Sequence, residues 1–107
     1  MEETTELEEY QEFVKGMTWD STKEYGIYWT MIAIQSELGE LAQIVEKVIR
    51  KKNGIWDESD KSKMKDELGD VMWNVAKIAN DMGFSLDEVI EDNISKLNAR
   101  AYASKNT

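Results

Sequence analysis

Cysteine, histidine and proline are all missing from this chain, and each absence closes off something specific. Without cysteine there is no disulfide framework and no thiolate metal site. Without histidine, the commonest general base and the commonest zinc ligand are gone, and Ser-His and Cys-His nucleophile schemes are excluded. Without proline, and with six glycines scattered singly, long helices run uninterrupted and a turn-rich β fold is disfavoured. Long apolar runs are lacking too. No stretch nears the roughly 20 residues of a membrane span, and the acidic start does not read as a signal peptide. The expected setting is the cytosol, away from membranes. Basic residues are also scarce, 13 against 22 acids, and the net charge of −9 argues against a broad grip on nucleic acid. A small, highly charged ligand reached through a metal stays open. A chain of 107 residues makes one domain, 1–107, with a tail from about residue 104 expected to fray.

What is present is helical periodicity. Leu7, Tyr10, Val14 and Met17 predict an amphipathic helix over 4–17, followed by the connector "TWDSTKEYG" at 18–26. A second helix is predicted over roughly 24–51, with Ile34, Leu38, Leu41, Val45 and Val48 along one stripe. Asn53-Gly54 suits a left-handed helix exit. A third helix follows from about 60 to 82 on Met64, Leu68, Val71, Val75, Ile78 and Met82, closed by Gly83. Ser85 and Glu88 form a capping box in "SLDE", from which a fourth helix turns Leu86, Val89, Ile90, Ile94 and Leu97 inward and ends near Ala103. The expected class is all-α, a four-helix bundle-like subunit. "YGIYWTMIAI", 25–34, is apolar on nearly every face, and one subunit offers about half the cover it needs. A homo-oligomer is expected, a dimer or a dimer of dimers.

The acids hold the chemistry. Glu37 and Glu40 project from one helix face, as do Glu67 and Asp70, and each pair encloses a glycine, Gly39 or Gly69. Such pairs also arise by chance on solvated faces. Here, however, Glu37 lies between Ile34 and Leu41, and Glu67 between Met64 and Val71, so both border the packed seam. The glycines cost about 1 kcal/mol each in a helix interior, which suggests that something must approach closely. Four carboxylates on antiparallel neighbours need cations between them. Hard oxygen donors without nitrogen or sulfur suit Mg²⁺ or Mn²⁺, and a di-iron bundle would want histidine. Magnesium held this way suits a di- or triphosphate. Groups for such a ligand are available in Asn93, Lys96 and Arg100 with their three-four spacing, and in the basic Lys47, Arg50 and Lys51. Lys47, Arg50 and Lys51 also simply suit the end of a helix dipole.

These features resemble the MazG-like family of nucleoside triphosphate pyrophosphohydrolases in its short single-domain form. The family pattern of Glu-x-x-Glu, a spacer, then Glu-x-x-Asp matches Glu37, Glu40, Glu67 and Asp70. The likeness extends through "YQEFV" at 10–14, "ELGDVMWNVAKIANDMGFSLDEV" at 67–89 and "NISKLNAR" at 93–100. The resemblance implies magnesium-dependent cleavage between the α and β phosphates, giving a nucleoside monophosphate and pyrophosphate. It implies that the four acids bind metal, with Glu37 or Glu40 polarising the attacking water, and that more than one subunit shapes the site. Asn93 and Lys96 would contact phosphate or orient the acids. Ser36 stands where family members often carry a further glutamate. Trp19, Trp29 and Trp73 are candidates for stacking on the base, with core packing as the plainer role. The rivals are a related pyrophosphatase acting on dUTP or phosphoribosyl-ATP, and a non-catalytic helical oligomerisation module.

Overall fold

The centre of the molecule is a hairpin of two long helices, Gly26–Lys52 and Glu58–Met82. The computed structural model describes residues 3–17 and 26–105, so Trp19 and most of the 18–26 connector lie outside the described residues. In chain order the helices are α1 (Glu6–Gly16), α2 (Gly26–Lys52), α3 (Glu58–Met82) and α4 (Leu86–Lys105). No strand occurs among the described residues, and none of their helices is long and apolar enough to cross a membrane.

The bend between α2 and α3 is built locally. Asn53 and Gly54 take left-handed φ values of 54° and 79°, and the Gly54 N–H donates to the Val48 carbonyl at 3.0 Å. Asp57 then caps α3 in a full capping box, with Asp60 N–H donating to Asp57 at 2.8 Å and Asp57 N–H donating to Asp60 at 3.1 Å. The Lys52 ammonium joins both carboxylates, at 2.8 Å from Asp57 and 2.9 Å from Asp60. This box starts α3 two residues before the sequence reading. At Ser85 the hydroxyl accepts from the Glu88 N–H at 3.0 Å, the one half of the expected box that forms. α4 runs on through Ser104 and Lys105, past the predicted stop.

Thr30, Ile34, Glu37, Leu41, Ile44 and Val48 on α2 are all buried or half-buried. So are Asp60, Met64, Glu67, Val71, Asn74 and Ile78 on α3. Both rows advance by alternating steps of four and three, the seam of two helices packed side by side. Leu38, Val45, Leu68 and Met82, expected in the stripes, stay exposed because they fall one step off this seam.

The opposite face of α3 carries the apolar core. Val14, Ala76, Ala79 and Leu86 are buried together, flanked by Leu7, Tyr10, Trp73 and Val75. Gln11 ties the three elements that meet there. Its side chain donates to Asn80 at 3.1 Å and to the Phe84 carbonyl at 3.2 Å, and accepts from the Leu86 N–H at 2.7 Å. Of the α4 residues expected inward only Leu86 is buried. Val89, Ile90, Ile94 and Leu97 stay 39–54% exposed, because beyond its first turn α4 has no helix beneath that face.

The result is open rather than bundled. The radius of gyration is 17.6 Å, against about 13 Å for a compact chain of this length. The accessible surface is 8513 Å², where a globular monomer of this mass exposes about 6,100 Å².

Candidate functional site

Polar residues in a packed helix seam need partners, and most here have them. The Thr30 hydroxyl donates to the Gly26 carbonyl at 2.8 Å, and the Asn74 amide donates to the Asp70 carbonyl at 2.9 Å. Asp60 is held by Lys52. Glu37 and Glu67 differ. One carboxylate oxygen of each, Oε2, is buried with no hydrogen-bond partner among the described residues. An unmet buried acceptor of this kind costs about 1–3 kcal/mol, more when charged.

These two acids do not sit alone. Oxygens of Glu37, Glu67 and Asp70 gather within 4.8 Å of one another, contributed by facing turns of α2 and α3. Glu67 takes the strain: its carboxyl is pushed up to about 7, first by the close carboxylate of Glu37, then by burial and by Glu40. Repulsion between like charges keeps a proton in the pair. Glu40 stands beside Glu67 at the open edge of the cluster, outside the trio. Asp70 is exposed, so the cluster opens to solvent on that side.

An all-oxygen set with orphaned acceptors fits a hard divalent cation, and Glu37, Glu67 and Asp70 are the residues that would hold it. A cleft of about 320 Å³ adjoins the trio, lined by Glu40, Lys47, Lys63, Asp66 and Glu67 among others. Lys47, a phosphate contact expected from the sequence, lines this cleft. Arg50 does not line it and pairs with Glu46 at 2.6 Å on the exposed face. Asn93, Lys96 and Arg100 are exposed on α4 and do not line this cleft. Trp73 is half-buried against the α1–α3–α4 core, the packing role, while Trp29 is 54% exposed near the start of α2.

Sequence reasoning missed Tyr10 and Lys63. Tyr10 is half-buried on α1, and its phenol is raised above the usual tyrosine range by burial and, secondarily, by the charge of Asp70. No local pattern in the sequence pointed there. Lys63 was legible in principle: it lies one turn before Glu67 on the same helix.

The glycines require a correction. A Cβ built on Gly39 or Gly69 meets nothing within 4 Å, so neither makes room for the neighbouring helix of its own subunit. Gly39→Ala and Gly69→Ala are therefore expected to stabilise the metal-free chain by about 0.5–1 kcal/mol each through helix propensity alone. Urea titration checks this, and a loss of stability would reveal a close neighbour that the subunit does not contain.

Residues 28–103, which include all four acids, match the MazG nucleotide pyrophosphohydrolase domain. The Gene 37 protein of Mycobacterium phage L5 is 36% identical over 75 residues, covering 70% of this chain and 66% of that protein. No solved structure matches. With the domain match running over well more than half its length, this chain belongs to the MazG nucleotide pyrophosphohydrolase family.

Proposed function

We propose that the chain is a divalent-metal-dependent nucleotide pyrophosphohydrolase that splits (deoxy)nucleoside triphosphates into monophosphate and pyrophosphate. The observation that carries it is the pair of orphaned carboxylate oxygens on Glu37 and Glu67, held in a seam whose other polar members are satisfied. A structural acid in a helix seam would be given a partner, as Asp60 is by Lys52. Mg²⁺ or Mn²⁺ bound there supplies positive charge against the phosphate oxygens and acidifies water.

The chain's own residues do the rest. Glu37, Glu67 and Asp70 hold the metal. Glu40, exposed at the lip of the cleft, polarises the attacking water and takes its proton, with Glu37 as the second candidate. Water forms a new P–O bond, the bridging bond between the α and β phosphates breaks, and pyrophosphate departs with the bridging electron pair. Lys47 meets the phosphates from α2.

Asn93, Lys96 and Arg100 reach the substrate from a second copy in this reading, a homodimer or dimer of dimers. Support comes from surface: the chain exposes about 2,400 Å² more than a globular monomer of its mass, and Tyr28, Trp29, Met31 and Ile32 are 46–68% exposed. The working setting is the cytosol and the use is removal of unwanted nucleotides.

The deciding experiment is pyrophosphate release across the common NTPs and dNTPs, with dUTP and phosphoribosyl-ATP included, with and without Mg²⁺. Turnover that needs Mg²⁺ and is abolished by Asp70→Asn supports the reading. An oligomerisation module would release nothing and show no thermal shift with triphosphate.

A further inference from the structure

The cleft beside the acids does not stop at Glu67. A second hollow of about 300 Å³ continues it toward the hairpin bend, and the two share Ile44, Lys47 and Lys63 as common walls. Four of the chain's 13 basic residues, Lys47, Lys51, Lys52 and Lys63, line this second hollow, in a protein of net charge −9. Asp60 and Asp57 fix Lys52 at its far end. Lys47 and Lys63 are different: among the described residues neither ammonium makes an ion pair or hydrogen bond.

Helix dipoles account for Lys51 in the last turn of α2 and act only weakly on Lys47, a turn further in. They do not account for Lys63, the sixth residue of α3, which gains nothing near the positive end of that helix. Its position makes sense against an anion. Lys63 lies one turn, about 6 Å along the axis, from Glu67 toward the bend; Lys47 lies two turns, about 10.5 Å, from Glu40 in the same direction. These two lysines, one from each helix, line the same groove, both on the bend side of the metal-binding acids.

We infer that Lys63 and Lys47 seat the terminal phosphates of the substrate, so that a bound triphosphate lies along the hairpin with its γ end toward the bend. This rests on the pyrophosphohydrolase reading above and adds a direction to it. The acids grip the α–β junction, the groove of lysines receives the pyrophosphate that leaves, and the nucleoside lies on the Asp70 side, toward α1 and Tyr10. Lys63 is on this account a binding residue that no local pattern of acids discloses.

Equilibrium binding tests it without turnover. Pyrophosphate, and separately the nucleoside monophosphate of the best substrate, are titrated by calorimetry into the Mg²⁺-loaded protein and its Lys63→Met, Lys47→Met and Lys61→Met variants. Lys61 removes the same charge from the same helix but pairs with Glu58 outside the groove. The expected result is pyrophosphate binding weakened about tenfold or more by Lys63→Met and by Lys47→Met, in line with a lost charge-assisted contact. Monophosphate binding should stay within twofold, Lys61→Met should match the wild type, and Lys63→Arg should restore pyrophosphate affinity. Should Lys63→Met unsettle the helix, Lys63→Gln takes its place, with helicity confirmed by circular dichroism. Unchanged pyrophosphate binding in an active enzyme overturns the orientation alone. So does equal weakening of the monophosphate. A wild type that hydrolyses no triphosphate overturns the orientation and the function together.

Discussion

Glu67→Gln is expected to cut Mg²⁺-dependent pyrophosphate release by a factor of about 1,000 or more, while making the metal-free protein more stable above pH 7. Both effects have one source. In the folded metal-free chain the Glu67 carboxyl titrates near 7, against 4.5 when unperturbed. Between those values the native state keeps a proton that the unfolded state has released. Stability tied to that proton is therefore present below about pH 4.5 and is lost as pH rises through 7. Glutamine carries no such charge at any pH. The variant should match the wild type near pH 4 and melt at progressively higher temperature than it as pH climbs to 8. Divalent cations reverse the comparison. They replace the proton in the wild type and find a weaker donor set in the variant, so Mg²⁺ should raise the wild-type Tm more at pH 8 than at pH 6 and leave Glu67→Gln nearly unmoved. Thermal scans at pH 4, 6 and 8, with and without Mg²⁺, check every part. A wild-type Tm indifferent to both pH and Mg²⁺ would mean the carboxylates are not crowded.

Gln11→Leu should cost about 3 kcal/mol of stability, a fall in Tm of roughly 10–20 °C. The side chain is 8% exposed and makes three bonds that join α1 to α3 and to the start of α4. Leucine fills similar volume but leaves the Leu86 N–H, the Phe84 carbonyl and the Asn80 Oδ1 without this partner, while the Asn80 amide N–H keeps the Gln11 backbone carbonyl. Each buried orphan costs about 1–3 kcal/mol, and partial access to water at Asn80 and Phe84 keeps the total near the upper figure for a single orphan, about 3 kcal/mol. The functional reach of this clamp is through Tyr10, its chain neighbour, which stands beside Asp70. A Tm change below about 3 °C would show that α1 is held by its apolar residues alone.

Helix existence was readable from the chain because periodicity and caps are local. Leu7, Tyr10 and Val14 do turn inward on α1, Asn53-Gly54 does bend left-handed, and Gly83 does close α3 with φ 79°. That Glu37 and Glu67 border the seam was readable for the same reason, since three- and four-residue steps place each acid on that stripe of its own helix. Boundaries moved where an unnoticed cap intervened, as at Asp57 and Asp60.

Spacing along one helix says nothing of what lies opposite a face. That is why Leu38, Val45, Leu68 and most of the α4 row were assigned to an interior they do not have, and why Gly39 and Gly69 were thought crowded when they face open space. It is also why the sequence does not disclose Tyr10, on a different helix from the acids, whereas Lys63 shares a helix with Glu67. The order of residues settles which side chains share a stripe, through the geometry of a single helix. Distances across helices, the unmet oxygens and the proton shared with Glu67 come from packing, because charges in different elements interact only after the chain has brought them together.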